Sequence, residues 1–314
     1  MATDQLIIGT FTECFRKYFY DELVMGKLAH TEFKDGVNKG DEVDVIMPGT
    51  VKMFDFDGEG DLPDAAEITT SATKVRIDKG AAFHFFLKEI QKKQIDNAPD
   101  MKQKINIVKE YSSDAIKQFA AGVDKAYAGL YTRAGYVVDA GDVTGGSANV
   151  GKGLDLDPEY AREILSLMRT KFQRGDGKGH NNWIDGSMIA IVPPEFEYYL
   201  GKLQMYEEVE SGQRKIEKGF VGRLEGWDIL VSNNVASYTD TNNSNKKTFA
   251  PLFGVRGKTL AGGVSSNLNT KSYMPEKNFN TAYKGYGLYG VGAPRADFLG
   301  TALIVAPTTL SGRS

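Results

Sequence analysis

NAPDMKQKINIVKEYSSDAIKQFAAGVDKAYAGLYTRAG, residues 97–135, is the stretch whose periodicity decides the fold. Ile105, Val108, Ala115, Phe119, Val123, Ala126 and Leu130 recur at helical spacing and draw one apolar stripe. Lys104, Lys109, Asp114, Lys117 and Asp124 fill the other faces. Asn97 suits the N-cap, Pro99 the first turn, and Asp100 the positive end of the helix dipole. Arg133 and Gly135 mark the stop. The pattern predicts one helix over 97–135. At about 1.5 Å per residue it is a rod of about 50 Å, against a mean globular helix of about 11–12 residues.

The stretch sits in a chain of 314 residues, 41% hydrophobic and 25% charged, which is enough for a substantial core and room for two domains. The formal net charge of −3 excludes a global basic field that would draw the protein onto nucleic acid. Cys14 is the single cysteine, so there is no internal disulfide and no multi-cysteine zinc site, and a reducing compartment is expected. No apolar run approaches the roughly 20 residues of a membrane-spanning helix. The first residues, MATDQLIIGTFTECF, lack the layout of a secretory signal.

Upstream of the rod, residues 5–25 give a shorter helical pattern with Ile8, Phe11, Phe15, Phe19 and Leu23 on one face. Such an arm has little chain around it to cover its stripe. It either packs back on the core or lies on a neighbouring subunit. Next, DEVDVIMPGTVKMFDFDG, the acidic GEGDLPDAAE and ITTSATKVRIDKGAAFHFFL read as a long β-hairpin with a charged tip. Val43, Val45 and Met47 alternate on the outgoing limb, and Thr73, Val75 and Ile77 on the return. A hairpin alone in water is marginal, so one this thinly apolar needs another chain to lean on.

Downstream, residues 136–153 are glycine-rich. A helix is expected at Asp157–Phe172, capped by Asp157 with Pro158 at its first position and Ile164, Leu165 and Met168 inward. SMIAIVPPEFEYYLGKL reads strand, Pro-Pro break, helix; FVGRLEGWDILVSNNV reads as two strands joined near Gly226; Thr239–Lys247 reads as a polar surface loop. The final third is strand-rich, and the chain has no internal repeat.

Chemistry-bearing motifs are few. GGSANVGKG, Gly145–Gly153, keeps the Gly146, Gly151 and Lys152 of a phosphate-binding loop, but Gly153 stands where a Ser or Thr would hold Mg²⁺, and the next helix starts too late. A flexible connector is the preferred reading over a nucleotide site. Asp55, Asp57, Glu59, Gly60 and Asp61 resemble half a calcium loop, yet Ala66 occupies the twelfth position and Glu67 misses it by one. A solvated or partner-facing acidic tip fits better. His30, His84 and His180 have no metal-ligand spacing, and His84 among Phe83, Phe85 and Phe86 reads as packed or partly buried. Glu195 and Glu197 favour a helix start. The Arg-Gly-Asp at Arg174 reads as a turn, and Cys14 as a packing residue. No catalytic residue, cofactor site or metal site is expected. What remains is shape: an arm, a long hairpin and a rod on an α/β body, the form of a building block that covers its projections with neighbours.

This order of elements resembles the major capsid protein of tailed bacteriophages, the Hong Kong 97-type fold, over essentially the whole chain. The resemblance rests on KGDEVDVIMPGTVKMFDFDG, the 97–135 rod, IAIVPPEFEYYLGKL, FVGRLEGWDILVSNNV, MPEKNFN and GVGAPRADFLGTALIVAP. It implies an α+β subunit with an N-arm (1–38), an extended E-loop hairpin (39–91), a peripheral domain (92–154 and 263–290) holding the spine helix and returning strands, and an axial domain (155–262 and 291–314). It further implies a non-enzymatic coat protein that assembles as pentamers and hexamers into an icosahedral head, built in the host bacterial cytoplasm and resident in the virion. The implied partners are further copies of itself, a separate scaffolding protein, a portal protein, a decoration protein as an optional addition, and packaged double-stranded DNA bound without sequence specificity. No membrane is involved. Intersubunit contacts are expected at Asp55, Asp57, Glu59 and Asp61 of the hairpin tip, at Phe11, Phe15 and Phe19 of the arm, and at Pro275, Glu276 and Lys277 of a far turn. The alternatives are an encapsulin-like nanocompartment shell, a nucleotide-binding enzyme using Gly146–Gly153, and a monomeric α+β binding protein.

Overall fold

Met101–Ala128 forms the long helix, α1, of a computed structural model that describes residues 22–34, 39–47, 71–87, 101–175, 187–202, 220–265, 269–274 and 281–305, with single positions at 9, 19, 93, 97, 182 and 183. α1 is shorter than its sequence pattern. At its C-terminal end the last turn tightens into a 3-10 turn over Gly129–Arg133, and Ala134 then goes extended. At the other end, residues 98–100, which separate Asn97 from α1, lie outside the described residues. The Asn97 N–H donates to the Lys93 carbonyl at 2.9 Å. The buried seam is Ile116, Phe119, Ala120, Val123, Tyr127 and Ala128, with Ala115, Ala126 and Leu130 half-buried beside it. Ile105 and Val108 carry no described side chains. Asp124, expected on a polar face, is 1% exposed. It stands within the apolar arc because backbone N–H groups of another segment meet it there.

That segment is the root of the N-terminal arm. Phe19, Leu23, Val24, Met25 and Leu28 are buried in the same cluster as the α1 seam, and the Phe19 and Phe119 rings lie 5.5 Å apart. Phe19 therefore packs on its own chain, not on a neighbour, because it falls in register with the α1 stripe. Phe11 and Phe15 lie outside the described residues. The segment runs into β1 (Ala29–Lys34), which pairs in parallel with β13 (Leu260–Ser265).

The hairpin is β2 (Glu42–Met47) against β3 (Ser71–Arg76), with Val43 opposite Val75 and Val45 opposite Thr73. At its root Gly40 N–H donates to the Ile77 carbonyl and Ile77 N–H to the Asp41 carbonyl. The return limb does not continue to residue 87 as one strand. After Ile77 the chain starts β4 (Lys79–Leu87), which pairs with β15 (Thr281–Gly292) over nine residue pairs. β15 also pairs with β13 and with β14 (Asn269–Tyr273), so β1, β4, β13, β14 and β15 make one five-stranded sheet beside α1. Strands in the stretches read as arm and hairpin thus complete the sheet that accompanies the rod.

A six-stranded sheet has the order β5 (Tyr136–Val138), β16 (Leu299–Ala302), β12 (Leu252–Val255), β7 (Met188–Val192), β9 (Trp227–Val231), β8 (Phe220–Leu224). β7 is buried on both sides. Ile189 and Ile191 join the α1 core, while Met188, Ala190 and Val192 join a second core. The alternation of a strand sends one face to each. The second core is built on α3 (Pro158–Arg174) and α4 (Pro194–Lys202), with α2 (Ala140–Thr144) nearby. Asp157 caps α3 by accepting from Tyr160 N–H and Pro158 holds the first position, as the sequence predicts; the helix runs two residues beyond the expected end at Phe172, to Arg174, where Gly175 closes it with φ 57°. Trp227 is fully buried there, edge-on to Phe172, Trp183 and Phe253, and its indole N–H donates to the Leu165 carbonyl. β8 and β9 are joined by Glu225 and Gly226, both at positive φ, the geometry of a two-residue type I′ hairpin turn.

A four-stranded sheet, β10 (Ala236–Asp240), β11 (Lys246–Ala250), β17 (Ile304–Val305), β6 (Leu154–Asp155), completes the body. The polar 239–247 stretch is mostly its tight turn. Asp240 within it is buried, accepting from Gly153 N–H and Asn242 N–H.

Candidate assembly surfaces

Antiparallel pairing sets directly opposite residues on the same face of a sheet. β4, β15 and β14 therefore place His84, Lys284 and Lys271 in one row. On β4 the alternation sends Ala81 and Phe83 to the α1 core and Ala82, His84 and Phe86 outward. Phe86 is 59% exposed, Tyr286 47% and Met274 63%. His84, expected to be packed or partly buried, is exposed, because it falls on the outward phase of its strand. It is held all the same. Its Nε2 lies 2.8 Å from the Tyr273 hydroxyl, the two rings stack at 5.9 Å, and Lys284 Nζ stands 5.0 Å from the centre of the Tyr273 ring. An open cleft of about 610 Å³ runs over these groups, lined by Phe83, His84, Lys271, Tyr273, Lys284 and Tyr286. The ionisable basic residues of β4, β14 and β15 are Lys79, His84, Lys271 and Lys284, and the three strands contain no Asp or Glu. The face is aromatic, cationic and exposed.

The hairpin root meets the same sheet. Val75 and Ile77 are buried, and Val75 clusters with Ala261. Gly290 and Gly292 of β15 leave the room for this approach. The acidic tip residues Asp55, Asp57, Glu59 and Asp61, and the far-turn residues Pro275, Glu276 and Lys277, lie outside the described residues. β14 ends at Tyr273 and β15 begins at Thr281, so the far turn connects two paired strands.

Gly145–Gly153 is neither a phosphate cradle nor a featureless connector. Asp139 accepts from Gly141, Asp142 and Gly151 N–H groups, and the Asn149, Val150 and Lys152 N–H groups donate to carbonyls at Gly146, Ser147 and Asn149. The Asn149, Val150, Gly151 and Lys152 N–H groups are thus used within this region, and the Gly153 N–H donates to Asp240. The Asp142 carboxylate returns to Asp139 N–H and completes a capping box. Sequence reasoning missed this although Asp139 and Asp142 stand three apart ahead of it. Asp139→Ala should lower stability by about 1–2 kcal/mol, read as a loss in denaturation midpoint at unchanged slope. The Lys152 side chain has no role in these bonds.

Among the described residues, no group of three or more His, Cys, Asp and Glu gathers to hold a metal, and no helix is long and apolar enough to cross a membrane. Glu195 and Glu197 occupy the first turn of α4 as expected. Arg174 is the last residue of α3, and the rest of the Arg-Gly-Asp stretch beyond Gly175 lies outside the described residues, as do Cys14 and His180.

No family model and no curated protein matches the sequence. Solved structures do. The capsid of Ralstonia phage GP4 aligns with a TM-score of 0.63 at 12% identity, covering 94% of this chain and 92% of that one. A protein of Mycobacterium phage Che8 aligns with a TM-score of 0.56 at 17% identity, over 89% and 90%. A virus-like particle from Pyrococcus furiosus aligns with a TM-score of 0.52 at 12% identity, over 96% and 100%. These likenesses establish the fold. The chain has the α+β architecture of tailed-phage capsid subunits of the Hong Kong 97 type.

Proposed function

We propose that the protein is the major coat subunit of a tailed phage, a non-enzymatic building block that closes into an icosahedral shell of pentamers and hexamers around double-stranded DNA. The observation that carries this reading is coverage. About nine-tenths of the chain aligns with solved phage capsid structures. In this reading the six-stranded sheet with α3 and α4 serves as the axial domain, the five-stranded sheet with α1 as the peripheral domain, and β2–β3 as the base of the E-loop. Scaffolding and portal proteins are its assembly partners, and the virion is its residence.

The hairpin tip lies over the adjacent subunit, and the charges favour this. Asp55, Asp57, Glu59 and Asp61 meet a surface such as the His84–Lys284–Lys271 row, where opposite potentials steer and orient the contact. Pro275, Glu276 and Lys277 meet other subunits at the three-folds, and Phe11 and Phe15 carry the arm beyond its docked root. Expressed protein should give closed particles in negative stain. A sharp monomer peak in sedimentation at high concentration, under every salt and scaffold condition, would overturn the proposal. Lys271→Glu combined with Lys284→Glu should abolish closed particles at moderate salt, since like charges set against each other cost several kcal/mol per contact. Asp55→Lys with Asp57→Lys in the same chain should restore them in part. Normal particles from the doubly reversed face would remove the tip from it.

A second reading, that the chain forms an encapsulin-like compartment enclosing protein cargo, is supported by the likeness to a virus-like particle from Pyrococcus furiosus. Nucleic-acid absorbance of purified particles separates the two. Empty shells holding an enzyme would replace the phage assignment.

A further inference from the structure

Asp124 is a buried carboxylate that the shell geometry does not use. It sits on α1, 1% exposed, amid Val123, Tyr127 and the arm-root residues Leu23, Val24, Met25 and Leu28. One carboxylate oxygen accepts from Val24 N–H and the other from Met25 N–H, each at 3.0 Å. Gly26 N–H and the Asn234 side chain add to the same carboxyl. Val24 precedes the 3-10 turn Met25–Leu28, whose first N–H groups have no partner of their own within the turn, so Asp124 caps it from a hundred residues away. Below this point the segment is tied by carbonyls. Lys27 accepts from Gly257 N–H and Leu28 from Thr259 N–H before β1 joins β13.

We propose that Asp124 is a proton-operated latch that holds the root of the N-terminal arm, residues 22–28, on the long helix, and that proton uptake closes it. The donors around the carboxyl are neutral. The charged side chains of the facing turn are Glu22 and Lys27, and those of the neighbouring α1 turns are Lys117 and Lys125; none of them adds a charge effect at Asp124. Burial without a countercharge disfavours the ionised form. It pushes the Asp124 carboxyl up to about 6, against the pull of the Val24, Met25 and Gly26 N–H groups and of Asn234. When the arm root lifts away, water reaches the carboxyl and its affinity for protons falls to that of an ordinary aspartate. The docked state therefore binds the proton more tightly than the lifted state. Docking is strongest below pH 4 and weakens as pH rises toward and through about 6. A protonated carboxyl keeps its carbonyl oxygen as a full acceptor for one N–H group, and its hydroxyl oxygen retains weaker acceptor capacity for the other, so the contact is loosened but not lost on protonation.

Amide hydrogen exchange of the full-length chain, corrected for the intrinsic pH dependence of exchange, tests this. Protection of residues 22–28 should rise about tenfold from pH 7.5 to pH 5 relative to the buried strand β7. Asp124→Asn should flatten that slope. A flat or opposite slope in the unmodified chain overturns the proposal, as does the same slope in a folded Asp124→Asn variant. If that variant does not fold, direct ¹³C titration of the carboxyl in the unmodified chain decides: a midpoint near 6 supports the latch, and one at or below 4 overturns it.

Discussion

A chain lacking Phe56–Ile68 is expected to fold, stay soluble and never close a shell. The described part of the hairpin explains the first half of that result. Glu42–Met47 still pairs with Ser71–Arg76, and Val75 and Ile77 still lie buried against the five-stranded sheet. Both cores, as far as the described residues form them, are built from other parts of the chain. Shortening the connection also lowers its closure entropy slightly. Circular dichroism and the thermal midpoint should therefore match the full chain closely. The second half follows from charge and from size. The deletion takes Asp57, Glu59, Asp61, Asp64 and Glu67 from the acidic tip. A shell multiplies each lost contact by every subunit, so a modest loss per interface removes closed particles from the micrographs. Normal shells from the deleted chain would sink the role given to the tip. Loss of folding would show instead that the tip supports its own body.

What was legible in the chain was what is local. α3 could be read from Asp157, Pro158 and its apolar spacing, and the β8–β9 turn from Gly226, because capping and turn chemistry act within a few residues. The strand, Pro-Pro break and helix at 188–202 follow from proline's missing N–H in the same way. What was not legible depends on distant partners. β4 continues the return limb in sequence, but its partner β15 begins about 200 residues later, and only that pairing turns His84 outward. β1 looked like part of an arm because its partner β13 lies as far away. Asp124 read as solvated because nothing near it in sequence shows that Val24 and Met25 will bring N–H groups to it. The same limit applies to the candidate contacts. The sequence could mark an acidic tip, yet the cationic face proposed to meet it exists only once three separated strands lie in register.

Gly290→Ala should be among the most damaging single methyl additions in the chain, although the site is a plain strand position. A Cβ on Gly290 would lie 2.3 Å from the Arg76 carbonyl oxygen, 2.9 Å from its carbon and 3.0 Å from the Ile77 Cα. All three are backbone atoms, so no side-chain rotation relieves the clash. β15 cannot retreat either, since Gly290 is paired with Gly263 of β13 and the preceding Tyr289 with both Lys79 and Val264. The hairpin root must lift, exposing Ile77 and Val75. Overpacking of a core costs typically about 1–3 kcal/mol, and a backbone obstacle belongs at the upper end of that range. Gly292→Ala is the control. Its Cβ would meet the Val75 Cγ2 at 3.1 Å, a side-chain contact that can yield. The expected order is therefore unmodified chain, then Gly292→Ala, then Gly290→Ala, both in thermal midpoint and in resistance of the 39–78 region to protease. Shell yield should follow the same order, because a hairpin whose root has lifted presents its tip to the neighbour at the wrong angle. Equal stability of the two variants would mean that the root does not seat on β15 as described, and that the hairpin takes its direction from somewhere other than these two glycines.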